Sequence, residues 1–162
     1  MRILAIDPGT SCGWAVRHSA ASWDSGVWDL APRRHEGGGM RFLRLRAYLR
    51  EVLDRFPPDA VVYEEVRMHR GVDAAHIYGG IVAVVVEECE TRKIPYSAVH
   101  YATAKRVATG KGNADKDEMV AAANARWPRV EAFDDNEADA RWIAEAAAIE
   151  LCDVGAPRGG SS

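Results

Sequence analysis

With 162 residues, 48% of them hydrophobic, the chain has material for one buried core, so a single domain is expected over residues 1–152, with a flexible tail at 153–162. The 21 Lys and Arg against 24 Asp and Glu leave a formal net charge of -3, which excludes an indiscriminate nucleic-acid coat protein but not a local basic face. Three scattered cysteines, Cys12, Cys89 and Cys152, exclude a disulfide framework and a CxxC zinc site; with no signal segment and no apolar run near the roughly 18 residues of a membrane span, a soluble cytoplasmic protein is expected.

Ile3, Leu4, Ala5 and Ile6 form an apolar run ended by Asp7-Pro8-Gly9, which reads as a buried strand leaving through a tight turn. Residues 13–16 and 25–30 read as two more strands, close enough to the first for an antiparallel meander. After a Gly-rich loop at 32–39, Phe42, Leu45, Leu49, Val52 and Leu53 recur at helical spacing across 40–56, and Pro57-Pro58 ends that helix. The β-prone run 59–66 again terminates in acids, Glu64 and Glu65. A polar loop at 67–73 leads to a helix at 74–93, whose Gly79-Gly80 pair permits close approach of another backbone. A strand at 94–99, a short basic helix at 101–109, a loop at 110–116 and a helix at 116–127 capped by Asn113 or Asp115 follow. The last helix opens on Asp134, Asp135, Asn136, Glu137 and Asp139 and runs to about residue 151. The pattern is an α/β domain in which helices flank one sheet.

An ionised Asp7 among apolar residues is costly without a compensating partner. If the strands that end in Asp7 and Glu64 are neighbours, their carboxylates meet, and Asp135 and Asp139, one helical turn apart, can approach the same corner. Converging carboxylates repel unless a cation joins them, and all-oxygen ligands suit Mg²⁺ or Mn²⁺, the ions of two-metal phosphodiester hydrolysis. Each acid also has a plainer reading: Asp7 as a turn cap, Glu64 and Glu65 as a solvated strand end, the acids at 134–137 as a helix N-terminus. Basic residues cluster at Arg33-Arg34-His35 with the arginines of the first helix, at Arg67, His69 and Arg70, and at Lys105, Arg106, Lys111 and Lys116. The last two clusters adjoin the acids and suit phosphate contacts, while the first reads as a solvated face. The five histidines show no metal-ligand spacing, Cys12 reads as a small hydrophobe, and Trp127 and Trp142 read as packing for the last helices.

Ile6-Asp7-Pro8-Gly9-Thr10 with Gly13-Trp14-Ala15, Tyr63-Glu64-Glu65-Val66, the stretch from Lys105 to Lys116 and Glu137-Ala138-Asp139-Ala140 together resemble the RuvC family of Holliday junction resolvases, in the RNase H-like superfamily. The resemblance implies a five-stranded mixed sheet flanked by helices, a homodimer, and Mg²⁺-dependent cutting of branched DNA by paired nicks. It places Asp7, Glu64 and Asp139 on the family's catalytic acids and Lys105 and Lys116 on its DNA-contacting lysines. The dimer helix would be 74–93, and the substrates four-way junctions, with forks or flaps as alternatives. Two departures stand out. Asn136 occupies a position where the family often has an acid, so the metal set becomes Asp7, Glu64, Asp139 and Asp135 with Asn136 beside them; Arg67 stands where some members carry an aromatic wedge. Asn136 also motivates an alternative, a junction-binding protein with an impaired centre, and an RNA-processing nuclease of the same superfamily is another. The compact length resembles the phage-borne branch of the family. A sugar kinase or ATPase of the actin-like type shares an Asp-Pro-Gly-Thr loop but needs far more chain.

Overall fold

The computed structural model describes residues 1–66, 71–129 and 131–155. Its sheet has five strands in the order β3-β2-β1-β4-β5: β1 (Ile3–Asp7), β2 (Ser11–Arg17), β3 (Trp23–Asp29), β4 (Ala60–Glu65) and β5 (Tyr96–His100). β1–β2 and β2–β3 pair antiparallel, whereas β1–β4 and β4–β5 pair parallel, so the sheet is mixed as expected. α1 (Met40–Arg55) and α2 (Val72–Arg92) are helices of one layer, and α3 (Tyr101–Thr109), α4 (Lys116–Arg126) and α5 (Asp135–Gly155) form the other.

Alternation along the central strands divides the interior in two. Ile3, Ala5 and Val62 point into the core beneath α3 to α5, while Leu4, Ile6 and Val61 point into the core beneath α1 and α2. Both faces being covered, β1 and β4 read as continuous apolar runs rather than alternating ones.

The structure redraws several predicted limits. β2 extends to Ser11 and Arg17 because it pairs along its whole length with β3, from Ser11↔Asp29 to Arg17↔Trp23. β5 begins at Tyr96, after Pro95, whose ring leaves no N–H for the ladder, although the Pro95 carbonyl accepts from the Val61 N–H at 2.9 Å. Asp115, not Asn113, caps α4 in a reciprocal box with Glu118. α5 continues to Gly155, past residue 152, the expected end of the domain, and into the expected tail at 153–162. Among the described residues no helix is long and apolar enough to cross a membrane.

The Gly79-Gly80 reading needs correction. A Cβ at Gly80 would collide with the Phe42 ring, so that glycine seats α1 on α2 within the chain; only Gly79 faces open space. The arginines of α1 are also more than a solvated face. Glu88 of α2, its side chain 2% exposed, receives Arg46 at 3.0 Å and Arg50 at 2.7 Å, which clasps the two helices together.

On the other layer, a Cβ at Gly13 would drive into the backbone carbonyl of Asn136, so the absence of a side chain lets the start of α5 rest directly on β2. Gly13→Ala is therefore expected to push α5 off the sheet and cost about 1–3 kcal/mol, the range for overpacking a well-packed core. A thermal melt within experimental error of the parent would refute this account of the contact.

Candidate active site

Asp7 is the last residue of β1, on the same face as Ile3 and Ala5. Glu64 shares the face of Val62 on β4, and parallel pairing that ends at Ile6↔Tyr63 sets Glu64 beside Asp7. Strand alternation thus decides between the two acids of β4. Glu64 looks toward the α3–α5 layer, while Glu65 falls on the α2 side with Tyr63. Asp7 is also register-paired with Gly13, the residue on which α5 rests, and one turn beyond Asp135 that helix delivers Asp139.

All three acids are partly buried, and their ionisation is disturbed in one direction. Burial first, then the charges of Glu64 and Asp139, raise Asp7 well above the ordinary carboxylate range. Burial also raises Glu64, against the opposing effects of its hydrogen bond with Asp7 and the nearby Lys105 charge. Their mutual side-chain hydrogen bond raises Asp7 and lowers Glu64, so the two titrate as a pair. Asp139 is pushed up to about 7 by burial and by the charges of Glu64 and Asp135, with Lys116 and Lys105 opposing.

Asp135 behaves differently. Lys116 donates to it directly and holds its carboxyl below the usual range. Asn136 is engaged at the helix entrance, where its backbone N–H and its side-chain amide each donate to Asp134 Oδ1 at 2.9 Å, and the amide donates to Asp135 Oδ1 at 3.1 Å. Among the described residues, no three His, Cys, Asp or Glu side chains are arranged as they stand to hold a metal ion. The chemistry of the set nevertheless fits a hard divalent cation: hard carboxylate oxygens whose mutual repulsion a 2+ charge would relieve.

The basic residues divide. Lys105 lies on α3 with its Nζ 4.3 Å from the centre of the Tyr101 ring, and its charge reaches both Glu64 and Asp139. Lys116 opens α4 against Asp135, and its side chain is 72% exposed. Lys111 is paired with Glu118 at 2.9 Å, and Arg106 lies in the last turn of α3. Arg67, His69 and Arg70 lie outside the described residues. Cys12, buried beside Asp7, has its thiol pushed up to about 12, so it is an inert core residue.

Two residues near the acids escaped the sequence reading. Tyr101 lies close enough that, after burial, the charges of Asp139, Glu64 and Asp7 raise its phenol further. His100 ends β5, accepts from the Ala102 N–H at the start of α3, and places its charge near Glu64. Their signal was positional: a His-Tyr pair at a strand end that shares the sheet with Glu64.

The sequence model of the family described as crossover junction endodeoxyribonuclease RuvC matches residues 3–152. A protein of that name from Chlamydia abortus is 30% identical over 158 residues, spanning 93% of this chain and 92% of its own. Another from Chloroflexus aggregans is 32% identical over 126 residues, 74% of each chain. Thermus thermophilus RuvC in complex with a Holliday junction substrate superposes with a TM-score of 0.79 at 27% identity, over 93% of this chain and 94% of that one. The yeast mitochondrial Holliday junction resolvase, at 17% identity and a TM-score of 0.59, shares the fold.

Asp139 yields a pH prediction. It titrates near its ordinary 3.8 when unfolded and at about 7 when folded, so across that window the folded protein binds a proton that the unfolded chain has lost. This group's contribution to stability therefore falls as pH rises through the window. Melting temperatures in a chelating buffer should decline with pH more steeply for the parent than for Asp139→Asn, and parallel curves would show that Asp139 is not the strained acid.

Proposed function

The chain belongs to the RuvC family of crossover junction endodeoxyribonucleases, and from that premise we propose that it resolves Holliday junctions by paired symmetric nicks, with Asp7, Glu64 and Asp139 as its catalytic acids. The observation that carries this reading is the convergence of those acids, from β1, β4 and α5, on one face of the sheet, each held above its ordinary pKa.

Asp7, Glu64 and Asp139 would hold Mg²⁺, with Mn²⁺ as a substitute, and Asp135 supplies the fourth carboxylate from the same helix face as Asp139. Asn136 stands beside this set as a neutral neighbour. When bound, such ions supply Lewis-acid stabilisation of the charge that develops on the phosphate and lower the pKa of water. The chain's own groups do the rest. Burial holds both Asp7 and Glu64 carboxyls above their ordinary range, so proton and cation compete for the same oxygens. Lys105, propped on the Tyr101 ring, and Lys116, steadied by Asp135, hold positive charge next to the acids where a DNA phosphate must sit. Lys111 and Arg106 extend that surface, and Arg67, His69 and Arg70 are assigned to DNA contact from the sequence alone.

One domain over residues 1–152 carries this activity. Two nicks placed symmetrically across a junction need two centres, which a homodimer provides. The interface we assign to it is the first half of α2, where Val72 is 69% exposed and Gly79 is open. Forks and flaps are weaker substrates in this reading, since they present one cleavable arm to a two-centred enzyme.

A synthetic four-way junction with Mg²⁺ should be nicked at symmetric positions while linear duplex stays intact. Asp7→Asn and Glu64→Gln should each lower the rate by about a thousandfold or more, corresponding to several kcal/mol of lost stabilisation, with junction binding retained in gel shifts. Nicking by Asp7→Asn at the parent rate would sink the assignment. Asp135→Asn, which removes the fourth carboxylate, should lower the rate by at least about tenfold, and by more than Asn136→Ala does. Tight junction binding without cleavage by the parent itself would instead favour an impaired junction-binding protein.

A further inference from the structure

A second cavity lies on the far flank of α5. Positions 137 and 141 are two residues beyond 135 and 139, which on a helix turns them about 200° away from the acidic centre. There α5 meets the start of β3, the end of α4 and the segment that follows it, and together they enclose about 500 Å³. Arg126, Arg129 and Arg141 line this space with Trp23, Trp127 and Phe133, and no carboxylate is among the described residues of the lining.

Arg141 is the informative member. It is only 9% exposed, and its guanidinium carbon lies 5.2 Å from the Trp23 ring centre, 5.4 Å from Trp127 and 4.8 Å from Phe133. Its Nε donates to Ser25 Oγ at 2.8 Å, yet among the described residues its two terminal nitrogens have no acceptor and no ion-pair partner. The acids within reach are already taken. Glu137 accepts from Arg129 at 2.9 and 2.7 Å and from Ser25 at 2.6 Å. Glu145 is bound by Arg17 at 2.7 Å, leaving Arg126 a long 3.6 Å contact, and Asp24 is paired with His18 at 2.7 Å. Trp127 Nε1 is a second buried donor without an acceptor among the described residues.

A buried guanidinium that turns free donors toward a cavity is half of an anion site. The cavity is much larger than one oxyanion and falls within the usual range of small-ligand pockets, and its remaining wall is aromatic. We propose that it binds a deoxynucleotide, with the phosphate on Arg141 and Arg126 and the base against Trp23, since the Arg129 guanidinium already covers the Phe133 ring at 3.6 Å. Arg129, fully engaged with Glu137, adds charge rather than a free donor. The choice of a nucleotide over other aromatic anions rests on the nuclease reading; the anion site does not.

Because Trp23 and Trp127 line the cavity, its occupation is readable by tryptophan fluorescence in EDTA, without metal or cleavage, so the outcome is independent of whether the acidic centre cuts junctions. dTMP should quench saturably in the millimolar range or below, and thymidine, which absorbs identically, should bind at least about tenfold more weakly. Arg141→Lys, which keeps the charge but loses the fork, should weaken dTMP by a similar factor. Should that variant fail to fold, Ala21→Glu sets an acid at the exposed mouth and should weaken dTMP equally in an intact protein. Competition by an oligonucleotide bearing a 5′-phosphate, but not by its unphosphorylated twin, would identify a strand end as the ligand; competition by neither would identify the free nucleotide. Equal responses to dTMP and thymidine, inorganic phosphate binding as tightly as dTMP, indifference to Ala21→Glu, or no saturable quenching would each overturn the proposal.

Discussion

The closeness of α5 to β2 is the constraint on which the rest of the molecule depends. Where Gly13 presents no side chain, the backbone of Asn136 settles against the sheet. Gly13 is register-paired with Asp7, so the contact fixes the helix at the level of the first acid. From there the helical repeat sets Asp139 toward Asp7 and Glu64 and turns Glu137 and Arg141 the other way, onto β3. A helix displaced by one side chain would lose both arrangements. The helix's own buried face is rich in small residues, Ala138, Ala140, Ala144, Ala146, Ala147 and Ala148, which keep it close to the sheet along its length.

The electrostatics follow from that closeness. Three carboxylates brought together at the edge of a core cannot all remain ionised without compensation. That opposition shows as raised pKa values at Asp7, Glu64 and Asp139, tempered by the charges of Lys105 on α3 and Lys116 on α4. The strain in these acids is the same free energy that a divalent cation would relieve, which links metal affinity to pH. If these acids carry the proposed cleavage, stability and activity place opposite demands on one cluster.

Much of this was legible in the sequence. Apolar runs that end in acids gave the strand ends, and period-2 alternation separates Glu64 from Glu65 once the strands are paired parallel. The capping residues and the spacing of Asp135 and Asp139 are local and were equally readable. What stayed hidden depends on contacts between distant segments. Nothing in a single strand marks Gly13 as the seat of a helix more than a hundred residues later, or Gly80 as the socket for Phe42 rather than for another chain. The arginines of α1 looked like a solvated face because Glu88 is far away in sequence, and Arg141 drew no reading at all because its rings come from β3, the end of α4 and the segment beyond it. Period and propensity report the neighbours along an element, and these residues are defined by neighbours across elements.

Asn136 shows how the two kinds of information meet. From sequence it is a missing acid; in the fold it is a residue held from three sides. Its backbone lies on Gly13, its N–H is capped by Asp134, and its amide donates to both Asp134 and Asp135. A carboxylate in its place would add a third negative charge beside Asp134 and Asp135, in contact with neither cation now serving the cluster, and would have no hydrogen to give them. The amide instead tempers their repulsion, leaving Lys116 to keep Asp135 ionised one turn before Asp139. Neutrality at 136 is then part of how Asp135 is kept available as a carboxylate, and the departure at one position and the acid at the next are a single arrangement.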